Sequence, residues 1–115
     1  MSHFISLRTA IEMTSRYRTQ KENVLDPAYR QRNILPVCET FDLDAFNSII
    51  AEGAKKIRIY FSMNEGLQLR AIVVGVNSAD QDILPPLDGN GGAAVIVEEG
   101  QLCPPLCPPA SPLNS

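Results

Sequence analysis

The chain has 115 residues, a net charge of −3, 44% hydrophobic and 20% charged residues. That composition fits one folded domain with a modest hydrophobic core and excludes a disordered acidic or basic tail protein. The acidic balance argues against nucleic acid as partner. No run reaches the roughly 18–20 apolar residues of a membrane span. Residues 1–10 lack the apolar core of a signal peptide, so the expected address is the cytoplasm. Charge is unevenly placed: residues 1–36 are net basic and residues 37–115 net acidic.

In chain order, Ser6 is placed to cap a helix beginning at Leu7. Leu7, Ala10, Ile11, Thr14 and then Tyr17 or Arg18 follow the spacing of one helical face. The helix is expected to run to about Lys21–Asn23, with Asp26-Pro27 marking its break. Residues 26–36 read as a polar loop with one short turn around Ala28–Gln31. A second helix is signposted at both ends. Asp42 is its N-cap, Phe41 packs on Phe46 as a hydrophobic staple, and Asp44 complements the helix dipole. Phe46, Ile49 and Ile50 form the expected buried stripe, and Gly53 supplies the left-handed C-terminal residue.

Lys56–Met63 alternates Ile57, Ile59, Phe61 and Met63 with Lys56, Arg58, Tyr60 and Ser62, the pattern of a half-buried strand. Asn64-Glu65-Gly66 is a turn, and Leu67–Val76 is the hairpin partner. The second half of that partner is apolar on both faces, as in a central strand. Ser78–Gln81 reads as a turn, Asp82–Leu84 as an edge segment and Pro85-Pro86 as a stop. Gly89-Asn90-Gly91-Gly92 reads as a flexible loop, and Ala93–Glu98 as a further strand. The expected class is α+β: two helices on a small antiparallel sheet, residues 1–102 forming one domain.

Residues 103–115 repeat Cys-Pro-Pro and carry no charged side chain. Proline lacks the N–H that helices and central strands require, so an extended polyproline arm is expected. In that conformation Cys103 and Cys107 stand about 12 Å apart, too far for a disulfide unless the arm bends sharply. Three cysteines are an odd number, which argues against a complete disulfide framework, and both arm thiols are expected to pack as small hydrophobes.

Catalytic and ligand constellations are weak. Cys38 precedes a helix but has no histidine partner, the single His3 lying near the N-terminus. Zinc would need four ligands, and only Cys38 and His3 could join the arm cysteines. Asp42/Asp44 and Asp80/Asp82 are accounted for by a cap and a turn. The glycine-rich loop lacks the Gly-Lys-Ser/Thr of a phosphate cradle. Arg16, Arg18, Lys21, Arg30 and Arg32, with Tyr17 and Tyr29, could form a basic patch but read as a solvated face. No catalytic residue, metal or cofactor is expected.

Cys38-Glu39-Thr40-Phe41-Asp42, Arg58-Ile59-Tyr60, Val74-Gly75-Val76-Asn77, Asp82-Ile83-Leu84-Pro85 and the closing arm together resemble an uncharacterised family of short bacterial proteins. The likeness spans about Ile5 to Asn114, and it implies a genuine folded unit without supplying catalytic residues. The expected function is a non-enzymatic assembly or protein-interaction protein. Its arm (Cys103, Pro104, Pro105, Leu106, Cys107, Pro108, Pro109, Leu113) would dock on a neighbouring subunit, giving a homo-oligomer, or on a protein partner. The alternative is a small ligand- or metal-binding module with the arm folded back near Cys38. A small enzyme built on Cys38 is a third class.

Overall fold

A computed structural model describes residues 3–87 and 94–115. The fold is α+β; the described residues form two α-helices, a three-stranded and a two-stranded sheet. The chain divides into two compact units: residues 1–38 with 102–115, and residues 39–101. The strands β1 (Cys38–Thr40) and β5 (Gln101–Cys103), which carry the two passages between the units, form the two-stranded sheet.

In the first unit, α1 spans Leu7–Gln20, and the Ser6 side chain accepts a hydrogen bond from the Thr9 N–H as the cap. Ala10, Ile11, Thr14, Tyr17 and Arg18 are half-buried, which is the face that the spacing picks out, although Leu7 at its start is exposed. A 3-10 turn follows at Pro27–Tyr29, opened by Asp26, whose carboxylate accepts from the Ala28 N–H. Ile34, Pro36, Leu102 and Cys103 are buried in this unit.

In the second unit, α2 (Leu43–Ala51) lies between Asp42 and Glu52. Asp42 takes the extended N-cap conformation, but its side chain makes no capping hydrogen bond. The Phe41 and Phe46 rings meet edge to face at 5.9 Å, as the staple pattern requires. Gly53 has φ +85° and ends the helix as expected. The strands β2 (Lys56–Met63), β3 (Leu69–Val76) and β4 (Asp82–Ile83) are antiparallel, in the order β2-β3-β4. The apolar second half of β3 thus runs through the centre of the sheet. Leu67 takes φ +64° and belongs to the turn, not the strand.

The core of this unit is Ile49, Val73 and Val97, with Phe41, Ala45, Phe46, Ala54 and Val95 packed around it. Gly75 makes it possible for α2 to lie close over β3. A Cβ there would stand 2.9 Å from Ala54 Cβ and 3.0 Å from Ile49 Cγ2. The expected strand at 93–98 reduces to one antiparallel bridge, Val73 to Val97; residue 93 and the glycine-rich loop at 89–92 lie outside the described residues.

Two expectations are corrected by this packing. Ile50 is 60% exposed, so the buried stripe of α2 is centred on Ile49. The apolar row of β2 is exposed too, because the helix covers β3 and leaves β2 beyond its reach. Among the described residues, no helix is long and apolar enough to cross a membrane.

Candidate functional site

The least satisfied surface of the second unit is β2. Ile57, Ile59, Phe61 and Met63 are 46%, 53%, 79% and 58% exposed, although they share the face on which α2 packs. Ile50 of α2 continues this surface, lining one shallow groove with Ala54, Lys55, Lys56 and Ile57. Among the described residues, β2 has a neighbouring strand on one side only.

The direction of its free backbone groups follows from β3. Val73 donates to the Val97 carbonyl at 2.8 Å and accepts from the Val97 N–H at 2.9 Å, both bonds pointing away from β2. Val73 faces Ile59 in the register, so that pair is a non-hydrogen-bonded one. At the other end of the hairpin the Asn64 N–H donates to the Gln68 carbonyl. Both observations assign the even-numbered residues of β2 to the β3 ladder. Ile57, Ile59, Phe61 and Met63 therefore turn their N–H and C=O groups to the open edge. The same four residues supply the exposed apolar side chains.

The opposite face carries a charged network. Arg58 bonds the Asp82 carboxylate and reaches Asp80 at 2.9 Å, and Lys56 lies 3.5 Å from Asp80. The Tyr60 hydroxyl donates to the second oxygen of Asp82. That hydrogen bond, reinforced by Arg58, holds the Asp82 carboxyl below its ordinary pKa. The same bond raises the Tyr60 phenol, and the bond to Asp82 raises Arg58. The pairing of Asp80 with Asp82 is thus answered by Arg58, Lys56 and Tyr60, and the group works as a structural clamp across β2–β3–β4.

A second clamp centres on Glu39, a residue that sequence spacing did not single out. One carboxylate oxygen accepts from the Ala71 N–H at 3.0 Å. The other accepts from the Gly100 N–H at 3.1 Å and from Arg70 at 3.0 Å. Arg70 also donates to the Gly100 carbonyl and lies 2.8 Å from Glu98. A Cβ on Gly100 would fall 2.7 Å from Glu39 Cγ and 2.9 Å from the Phe41 ring. Every partner is a group of the protein itself, so the cluster fixes the 98–100 segment and β3 together.

The arm is not an extended rod. Cys103 and Cys107 form a disulfide with Cα atoms 4.4 Å apart, where a polyproline run would separate them by about 12 Å. The Leu106 N–H donates to the Leu102 carbonyl at 2.9 Å and closes the same reversal. The stiffness expected of a proline run is overcome by covalent closure. The peptide bonds before Pro104 and Pro105 are cis. Cys103 is buried, Pro104 half-buried, and Pro105, Leu106, Cys107, Pro108 and Pro109 are exposed. Arg18 of α1 donates to the carbonyls of Leu113 and Ser115, which ties the end of the arm to its own unit.

The start of the arm lies beside residue 37, since the Val37 N–H donates to the Cys103 carbonyl at 2.7 Å. Cys38 is a half-buried free thiol and His3 is exposed. Among the described residues, no group of three or more His, Cys, Asp or Glu side chains is arranged to hold a metal ion. The basic residues of the first unit are largely engaged within it. Lys21 pairs with Glu22, Arg30 donates to the Glu22 and Leu25 carbonyls, and Arg32 lies over the Tyr29 ring. The Tyr17 hydroxyl donates to the Pro36 carbonyl, and burial raises its pKa. Arg16 remains beside a groove of about 290 Å³ lined by Met13, Tyr17, Val24 and Leu35.

No family model matches the chain, and neither a curated protein nor a solved structure matches it.

Proposed function

We propose that the protein is a non-enzymatic assembly protein that associates with further copies of itself. One observation carries this reading: a strand that, among the described residues, has a neighbour on one side only, and whose four exposed apolar residues also turn their backbone groups to the other side. An open edge of this kind is a template for pairing, and proteins that do not use one blunt it with charge, proline or a bulge. None of the residues Ile57, Ile59, Phe61 and Met63 is charged or a proline. Contiguous exposed apolar surface of this sort marks an interaction site.

The arm takes a lesser part in this reading than composition suggests, because its closure and its bonds to Arg18 commit it to its own unit. The exposed tip at Leu106–Pro109 leaves it as a second contact surface. The test is the solution mass of the full chain by light scattering over a roughly hundredfold concentration range. A mass that rises from the 12.6 kDa monomer to a defined multiple supports assembly. A monomer throughout the range overturns it.

A further inference from the structure

We infer that the occupant of the open edge is the β2 strand of a second copy, paired antiparallel about a two-fold axis through Tyr60. The inference rests on the assembly reading and specifies its interface. Ile57, Ile59, Phe61 and Met63 offer outward N–H and C=O groups at alternate positions, which is the spacing an antiparallel strand needs. A strand of eight residues offers the same row to its twin.

Only a few registers match outward residues with outward residues. The one that matches all four sets Ile59 opposite Phe61 and Ile57 opposite Met63, each pair occurring twice. Direct cross-strand apolar pairs are the unit of sheet stabilisation. This register makes a six-stranded sheet, β4-β3-β2 continued by its two-fold mate.

Charge selects the same arrangement. β2 begins basic, at Lys56 and Arg58 with Lys55 just before it, and the turn after it is acidic, at Glu65. Lys55 and Glu65 are both exposed. In the register centred on Tyr60, Lys56 and Arg58 of one copy face the uncharged Asn64 and Ser62 of the other, and Lys55, just before the strand, comes toward the turn that holds Glu65, on both sides of the axis. A parallel mate would instead set Lys55, Lys56 and Arg58 against their own copies, and like charges directly opposite are destabilising. The basic clamp on the far face remains engaged by Asp80 and Asp82, so it adds no repulsion across the edge.

Amide hydrogen exchange of the full-length wild-type protein, read residue by residue by NMR at low and high concentration, tests the pairing without any substitution. The N–H groups of Ile57, Ile59, Phe61 and Met63 should become protected as dimer forms, at least tenfold, while Arg58, Tyr60 and Ser62 are protected at both concentrations. An oligomer in which the odd-numbered amides stay unprotected refutes the edge pairing and leaves assembly standing. A protein that is monomeric at every concentration refutes both.

Three variants test the register. In a Cys38→Ser background, Tyr60→Cys places one thiol on each side of the axis, at a non-hydrogen-bonded pair about 4.5 Å between Cα atoms. Mild oxidation should give a covalent dimer. Failure to cross-link in a protein that is dimeric by mass overturns the proposed axis. Lys55→Glu should weaken association several-fold, and adding Glu65→Lys should restore it. If the double variant is as weak as the single one, the register is wrong. Protection of β2 caused by a neighbour's C-terminal arm would show as a mixed disulfide, the Tyr60→Cys thiolate displacing one sulfur of the Cys103–Cys107 bond and freeing the other as a thiol, and would likewise overturn the symmetric pairing.

Discussion

Glu39, Gly100 and Asp82 show how single residues carry this structure. The Glu39 carboxylate is 8% exposed and satisfies two backbone N–H groups and Arg70. Glu39→Ala would leave the Ala71 and Gly100 N–H groups without their acceptor and Arg70 with only Glu98 and the Gly100 carbonyl, at a cost of about 1–3 kcal/mol. Urea unfolding followed by circular dichroism measures it. Gly100→Ala meets the same carboxylate and the Phe41 ring, and overpacking of that kind costs about 1–3 kcal/mol. Asp82 gives a pH dependence. Its carboxyl titrates lower in the folded chain than in the unfolded one, because Tyr60 and Arg58 bond the charged form. Its contribution is therefore present above the unfolded carboxylate range, near pH 4, and is lost as the pH falls through the folded value. Asp82→Asn should reduce the difference in urea midpoint between pH 6 and pH 3. An unchanged difference would show that other carboxylates carry the acid sensitivity.

At the scale of elements, the position of α2 decides what the sheet exposes. Gly75 removes the one Cβ that would hold the helix off β3, and the helix then covers Val73 and leaves β2 open. Gly75→Ala should destabilise the second unit by about 1–3 kcal/mol, read as a lower denaturation midpoint. The arm is decided by a different force. Its disulfide closes so short a ring that the loop-entropy relation assigns it only about 2 kcal/mol. Reduction should lower the thermal midpoint modestly without unfolding the chain, as measured by calorimetry with and without reductant. A complete loss of cooperative melting would show that the closure does far more than restrain the unfolded arm. The edge strand is the element most sensitive to charge. Phe61→Lys, at a position 79% exposed, should leave far-UV circular dichroism unchanged and abolish concentration-dependent mass.

At the scale of the whole molecule, local chemistry was legible and long-range placement was not. The Ser6 cap, the Phe41–Phe46 staple, Gly53 and the β2–β3 hairpin all depend on residues close in the chain, and alternation or capping rules reach that far. Those signals by themselves determined the α+β class, the second helix and the central position of β3. Alternation also revealed that β2 has an apolar face, but it could not say whether anything covers it. Only the tertiary structure decided that, because coverage depends on where α2 crosses the sheet. The Glu39 clamp was invisible for the same reason: its partners lie 31 to 61 residues away, and no local period links them. The arm followed this rule as well. Proline content predicts stiffness in an isolated run, whereas the bond between Cys103 and Cys107 and the anchoring by Arg18 are contacts that only the folded chain brings together.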